Sequence, residues 1–159
     1  MKIGIIADTH DNLPCVRKAV AFFNDCKVQY IIHAGDYVAP FALKELLKAD
    51  ARLIGIFGNN DGEKKGLKDL CDNIFDPPHT IDLNNKKITI IHDIDLFDMR
   101  LKEESDVVIY GHTHKSDIKT GKPLFINPGE CGGWLTGVSS VALLDIDKME
   151  GEIVKLKND

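Results

Sequence analysis

The chain has 159 residues, the size of one ordinary domain (1–159) and too short for two well-cored ones. Apolar residues at 43 % and charged residues at 28 % supply a core and carry no disorder signature. A net charge of -5 argues against a life on long nucleic acid, which clustered Lys and Arg would favour, but still admits a small anionic substrate, because bound metal inverts the local field.

The first eight residues, Met1 to Asp8, are apolar only briefly before an acid interrupts them, too short a run for a secretory segment. No apolar run reaches membrane length, so no membrane partner is expected. Cys15, Cys26, Cys71 and Cys131 lie far apart without a CxxC pair and read as free thiols, which points to a cytoplasmic setting.

Residues 2–7 form a compact apolar run, a short buried strand. Asn12 then suits a helix N-cap, with Pro14 in the first turn and Leu13, Val16, Val20 and Phe23 on one stripe. Cys15 and Cys26, eleven apart, return to nearly the same face as packing residues. The pattern repeats: a strand at Tyr30-Ile31-Ile32, an exit at Gly35-Asp36, and a helix opened by Pro40 with Leu43, Leu46 and Leu47. A third strand, Arg52 to Phe57, leaves through Gly58-Asn59-Asn60-Asp61 into a helix marked by Leu67, Leu70, Cys71 and Ile74. Such alternation predicts right-handed crossovers and a largely parallel sheet.

The second half is richer in strand. Asp76-Pro77-Pro78 breaks the chain, and Ile81 to Ile91 reads as a hairpin turning at Asn84-Asn85. A short helix is expected near Ile94 to Leu101, then strands at Val107 to Tyr110, 116–119, 123–126, 138–145 and 152–156, the last two joined by a turn within Asp145 to Gly151.

Metal-capable side chains fall almost entirely at strand exits: Asp8 and His10, Asp36, Asn59, His92, and His112 with His114. In an open α/β sheet the strand exits share the edge where ligands bind, so these loops converge. Taken singly, each has an ordinary reading: Gly35-Asp36 as a turn, Gly58 to Gly62 as loop and capping chemistry, His92 as a hydrogen-bonded strand end. His33 reads as a buried polar residue of a strand and His79 as a surface loop residue. Together, two carboxylates, four imidazoles and one amide suit borderline divalent ions such as Mn²⁺, Fe²⁺, Zn²⁺ or Ni²⁺. Seven donors exceed one tetrahedral ion, whereas two ions sharing a carboxylate would use them all.

Asp8-Thr9-His10, Gly35-Asp36, Gly58-Asn59-Asn60-Asp61, His92 and Gly111-His112-Thr113-His114 stand in the order found in the calcineurin-like metallophosphoesterases, and the chain resembles their small prokaryotic branch. Asn127-Pro128-Gly129 is similar to that family's loop after its last motif. The resemblance implies an α/β (α+β) fold: a four-layer α-β-β-α sandwich of two mixed β-sheets flanked by helices. It implies that Asp8, His10 and His114 hold one metal, that Asn59, His92 and His112 hold the other, and that Asp36 bridges them. It further implies hydrolysis of a small phosphate ester, chiefly a phosphodiester, by a hydroxide between two divalent transition-metal ions.

Three positions depart from the family pattern. Asn60 stands where many relatives have His, their proposed acid for the leaving group, and an amide cannot supply a proton at neutral pH. Asp93 follows His92 in place of Gly and is expected to reshape the pocket wall. Glu130 replaces a small hydroxyl residue, and its carboxylate, pointing inward, would disfavour phosphate. Asp61 is assigned to orienting Asn60 or a nearby ligand. One branch of the same superfamily is a retromer scaffold subunit with weakened metal sites, so a non-catalytic module is the competing reading; the full set of seven donors favours the enzyme. Apolar surface at Trp134 or Leu135 would suit a contact with a second copy.

Overall fold

The computed structural model describes residues 1–157. Its first sheet has six strands: β1 (Lys2–Ile6), β2 (Tyr30–His33), β3 (Arg52–Ile56), β4 (Ile74–Phe75), β10 (Ser140–Asp145) and β11 (Glu150–Lys155), in the order β11-β10-β1-β2-β3-β4. The second has five: β5 (His79–Leu83), β6 (Lys86–Ile90), β7 (Val107–Ile109), β8 (Asp117–Lys119) and β9 (Leu124–Asn127), in the order β5-β6-β7-β9-β8. β1, β2 and β3 run parallel, with Ile5 beside Ile32 and Ile32 beside Ile54; β6, β7 and β9 are likewise parallel. Antiparallel partners at the margins, β10 with β1 and β5 with β6, make both sheets mixed.

Side-chain alternation decides how the sheets pack. Ile3, Ile5, Ile32 and Ile56 face inward from the first sheet and meet Ile88, Ile90, Val107, Ile109 and Ile126 of the second in one buried cluster. The opposite face of the first sheet carries α1 (Leu13–Asp25), α2 (Pro40–Leu46) and α3 (Lys64–Leu70) on a core of Val16, Phe23, Leu43 and Leu67. Ile91, Val108 and Tyr110 form a smaller cluster on the outside of the second sheet, with Ile94 of a 3-10 turn (Ile94–Leu96) and Phe97 just after it, ahead of α4 (Met99–Glu104). Four layers result. Among the described residues no helix is long and apolar enough to cross a membrane.

Local signals explain the element boundaries. The Asn12 side chain accepts the Cys15 N–H at 3.4 Å, satisfying one of the orphan donors at the start of α1. Pro40 sits in the first turn of α2, where its missing N–H costs nothing. Cys15 and Cys26 are partly buried against the helix-side core, as their spacing suggests.

Three expectations are corrected. The third helix stops at Leu70, because Cys71 turns extended (φ -151, ψ 113), and Ile74 belongs to β4. The segment near 94–101 is two pieces, split where Asp98 caps a new start by accepting the Arg100 N–H. His79 is no loop residue: it opens β5, with its ring stacked on Phe75 at 3.8 Å.

Candidate metal centre

Five parallel strands end at one edge of the two facing sheets, and the residues just beyond them converge. Asp8 and His10 follow β1, Asp36 follows β2 and Asn59 follows β3; His92 follows β6, and His112 and His114 follow β7. Asp36 Oδ2 lies 3.6 Å from His10 Nε2 and 3.4 Å from His92 Nε2. Asp8 Oδ1 lies 3.7 Å from His114 Nε2 and 4.0 Å from His10 Nε2. Asn59 Oδ1 receives two imidazoles, His92 Nε2 and His112 Nδ1, each at 2.9 Å. All seven side chains singled out in the sequence are thus brought together.

The backbone is bent to aim them. Asp8, His10, Asp36, His112 and His114 all have positive φ, between 42° and 67°, a region costly for any residue but glycine. Such strain persists only where the surroundings over-determine it, and it concentrates at functional sites. Gly35, at φ +97, makes room for the approach: a Cβ there would meet His92 Nδ1 at 2.7 Å and Gly58 N at 2.8 Å.

Charge in the cluster is unbalanced. Asp8, Asp36 and Glu130 are all buried. Burial, reinforced by the neighbouring Asp36 and Glu130 carboxylates, pushes the Asp8 carboxyl up to about 7. Burial also opposes ionisation of Asp36, but His92 and the amides of Asn60 overcome it and hold that carboxyl below the usual range. Burial lowers the pKa of His10, keeping its imidazole neutral.

Two groupings, Asp8 with His10 and His114, and Asp8 with Asp36 and His92, each place their donor atoms within 4.8 Å of one another. Donors about 2.1 Å from a shared ion stand roughly 3.4–4.2 Å apart, which the separations of 3.4 to 4.0 Å match. His10 Nε2 is buried without a hydrogen-bond partner, as a nitrogen reserved for an ion would be. The donor set therefore fits divalent cations. Outer partners orient it: His92 Nδ1 is 2.7 Å from the Ala34 carbonyl, and His114 Nδ1 is 3.5 Å from Glu130 Oε2. Carbonyls and carboxylates behind ligating histidines fix their ring orientation.

The remaining candidates sit differently from each other. Asn60 donates its backbone N–H to Asp36 Oδ1 at 2.8 Å and its side-chain amide to Asp36 Oδ2 at 2.7 Å, so it faces that carboxylate. Asp61 lies beneath the cluster, accepting the N–H groups of Asp36, Val38 and Gly58 at 3.0, 2.7 and 2.7 Å; it makes no hydrogen bond to the Asn60 side chain. Glu130 is buried, with its carboxylate engaged by its own turn. Its carboxylate accepts the Leu135 and Thr136 N–H groups and the Thr136 hydroxyl, and it backs His114.

Sequence reasoning missed several supports. His33 is buried as expected, but its ring also bridges loops, contacting Thr9 Oγ1 at 3.2 Å and the Gly35 N–H at 3.1 Å. The Asn127 amide donates to the Gly111 carbonyl and to Thr113 Oγ1, bracing the loop that bears His112 and His114. Trp134 Nε1–H donates to the His10 carbonyl, placing this exposed indole beside the cluster. Each is a contact between distant segments, and only the Asn127 loop had a motif to signal it.

A family model described as the calcineurin-like phosphoesterase superfamily domain matches residues 1–149. The chain belongs to that superfamily. It is 45 % identical to phosphodiesterase MJ0936 of Methanocaldococcus jannaschii over 159 residues, covering 94 % of this chain and 96 % of that protein. It is 31 % identical to a probable metallophosphoesterase of Methanothermobacter thermautotrophicus, covering 98 % and 92 %. Among solved structures, an archaeal phosphodiesterase superposes with a TM-score of 0.88 at 41 % identity, covering 98 % of this chain and all of that one. Vps29 of Entamoeba histolytica, at 20 % identity and a TM-score of 0.71, shares the fold, with 99 % and 100 % covered. Membership in the calcineurin-like superfamily accounts for the two-sheet architecture and for an edge crowded with acidic and imidazole donors.

Proposed function

We propose that the chain is a metal-dependent phosphodiesterase, acting as one domain on small phosphate esters. The observation that carries this reading is the meeting of seven donors from five strand ends, five of them in two metal-sized groupings and Asn59 and His112 joined through His92, around buried atoms such as the unpartnered His10 Nε2. The 45 % identity to a named phosphodiesterase over nearly the whole chain supports it. The non-catalytic reading loses ground because every donor position is filled.

Asp8, His10 and His114 would hold one divalent ion, and Asn59, His92 and His112 a second, with Asp36 between them. Mn²⁺, Ni²⁺, Fe²⁺ and Zn²⁺ suit a set this rich in imidazole. Such a pair supplies Lewis-acid polarisation of the phosphoryl group and lowers the pKa of water towards 7, providing a nucleophile. The chain's own residues do the rest. Asp36, kept ionised, ties the two halves together; the Ala34 carbonyl and Glu130 fix the rings of His92 and His114. Asn60 holds the shared carboxylate by its amide and offers no proton to a departing alkoxide, so the reaction favours esters whose leaving groups need none. The four free cysteines suit a cytoplasmic location.

The test is metal analysis of the purified protein alongside turnover of an activated aryl diester with Mn²⁺ or Ni²⁺. Two equivalents of metal and turnover that Asp36→Asn abolishes are expected; a metal-free protein that hydrolyses nothing with either ion would remove the reading.

A further inference from the structure

A cavity of about 320 Å³ opens directly beside the candidate metal centre, and the two share a wall made of Asn59, His92 and His112. Away from that wall its lining is largely apolar: Phe57, Pro77, Pro78, Ile91 and Leu96. Concave, mostly apolar spaces with a few convergent polar groups at one end are how proteins bind small organic molecules, in volumes of roughly 300–1,000 Å³. This one is at the small end, the size for a single ring system rather than a polymer.

The rim is built rather than accidental. Asp93 Oδ1 accepts the Asp95 N–H at 3.0 Å and caps the 3-10 turn that carries Leu96, a leucine left 76 % exposed at the edge of the cavity. An aliphatic side chain held out into water by a capped turn gains most when a ligand covers it. The cation in the lining is already matched: Lys64 Nζ is 3.0 Å from Asp76 Oδ1 and lies 4.8 Å above the Phe57 ring. With its ammonium so paired, the cavity suits an uncharged group better than a second phosphate. The phosphoryl end of a ligand would then lie at the imidazole wall and its uncharged end among the prolines and Leu96.

We propose that this cavity is the subsite for an ester group of the substrate, and that the substrate is a small phosphodiester bearing a flat, largely apolar ring, aromatic or heteroaromatic. The assignment rests on the phosphodiesterase reading above. Proline rings, Phe57 and Leu96 recognise such a ring by contact area, not by a hydrogen-bond code.

The experiment is isothermal titration of the Mn²⁺-loaded protein with methylphosphonate, cyclohexylphosphonate and phenylphosphonate, whose P–C bonds resist hydrolysis, and with adenosine 5′-monophosphate. Phenylphosphonate is expected to bind about tenfold more tightly than methylphosphonate from the apolar area it buries, and more tightly than cyclohexylphosphonate, whose apolar area is no smaller but whose puckered ring cannot lie flat against Phe57 and the prolines. The nucleotide binding more tightly than phenylphosphonate would assign the ring to a nucleobase, and binding less tightly to a simple aryl group; both support the subsite. In Leu96→Ala, at an exposed surface position, the phenyl advantage should fall to about threefold, whereas Leu135→Ala, equally exposed but outside the cavity lining, should preserve it. Equal binding of the three phosphonates, or an advantage that survives Leu96→Ala or vanishes in Leu135→Ala, overturns the subsite and leaves the phosphodiesterase reading standing. No binding of any phosphonate by metal-loaded protein overturns both.

Discussion

The carboxylate of Asp61 accepts the backbone N–H of Asp36 at 3.0 Å, and through the same oxygen it takes the Gly58 N–H at 2.7 Å. Two loops that end different strands are therefore locked to one buried anion. An amide in its place would point donors at donors. Asp61→Asn should lower stability by roughly 2–3 kcal/mol, the cost of lost hydrogen bonds to a buried charge, and should weaken metal binding. Thermal unfolding of the metal-free protein and a metal titration measure the two effects. Turnover lost with both unchanged would move Asp61 into the chemistry.

Asn60 differs from its neighbour in what it touches: it contacts the Asp36 carboxylate from the exposed side of the cluster. Asn60→His places a titratable group at that face. Rates on diesters with poor leaving groups should rise about a hundredfold relative to those with activated ones, the lower end of the range for positioned acids. A leaving-group dependence identical to that of the parent protein would contradict this account.

At Gly35 the backbone has φ +97, and an added Cβ would press on His92 Nδ1, the atom that faces the Ala34 carbonyl. Gly35→Ala should cost roughly 1–3 kcal/mol from backbone strain alone, and metal affinity should fall with it as the His92 ring is displaced. Chemical denaturation and metal titration check both, and an unchanged affinity would show that the ring has room to move.

His33 gives a dependence on pH. Because Gly35 N–H donates to Nδ1, the hydrogen sits on Nε2 and meets Thr9 Oγ1, whose own hydroxyl donates to the Asp36 carbonyl at 3.3 Å. Complete burial holds the pKa of this ring well below 6.5. A depressed histidine leaves stability intact above its unfolded pKa; below it, the unfolded chain takes up a proton that the native state refuses, and stability falls. His33→Gln should therefore flatten the decline between about pH 7 and pH 5 by at most about 1.4 kcal/mol per pH unit. Parallel stability curves for the metal-free parent and variant would rule this out.

The site was legible because strand exits carry its residues. A short apolar run followed by Asp-Thr-His or Gly-Asp announces both the end of a strand and the chemistry beyond it, and parallel pairing brings those ends together. What escaped were relations that no local pattern encodes. Leu67, Leu70, Cys71 and Ile74 keep helical spacing straight through a chain reversal, and a two-residue strand is too brief to alternate. The lining of the cavity draws Phe57, Pro77 and Leu96 from separate elements, so nothing in their spacing marks a shared surface. The sequence leaves the direction of Glu130 open because it depends on the turn that offers it the Leu135 and Thr136 amides.

The donors divide by origin: Asp8, His10, Asp36 and Asn59 hang from the six-stranded sheet, and His92, His112 and His114 from the five-stranded one. Any cation seated among them is a rivet across the seam where the two sheets meet. The buried isoleucines hold the sheets together deeper in, so removing such a cation should loosen only the rim, and faster amide exchange confined to that edge would register its departure.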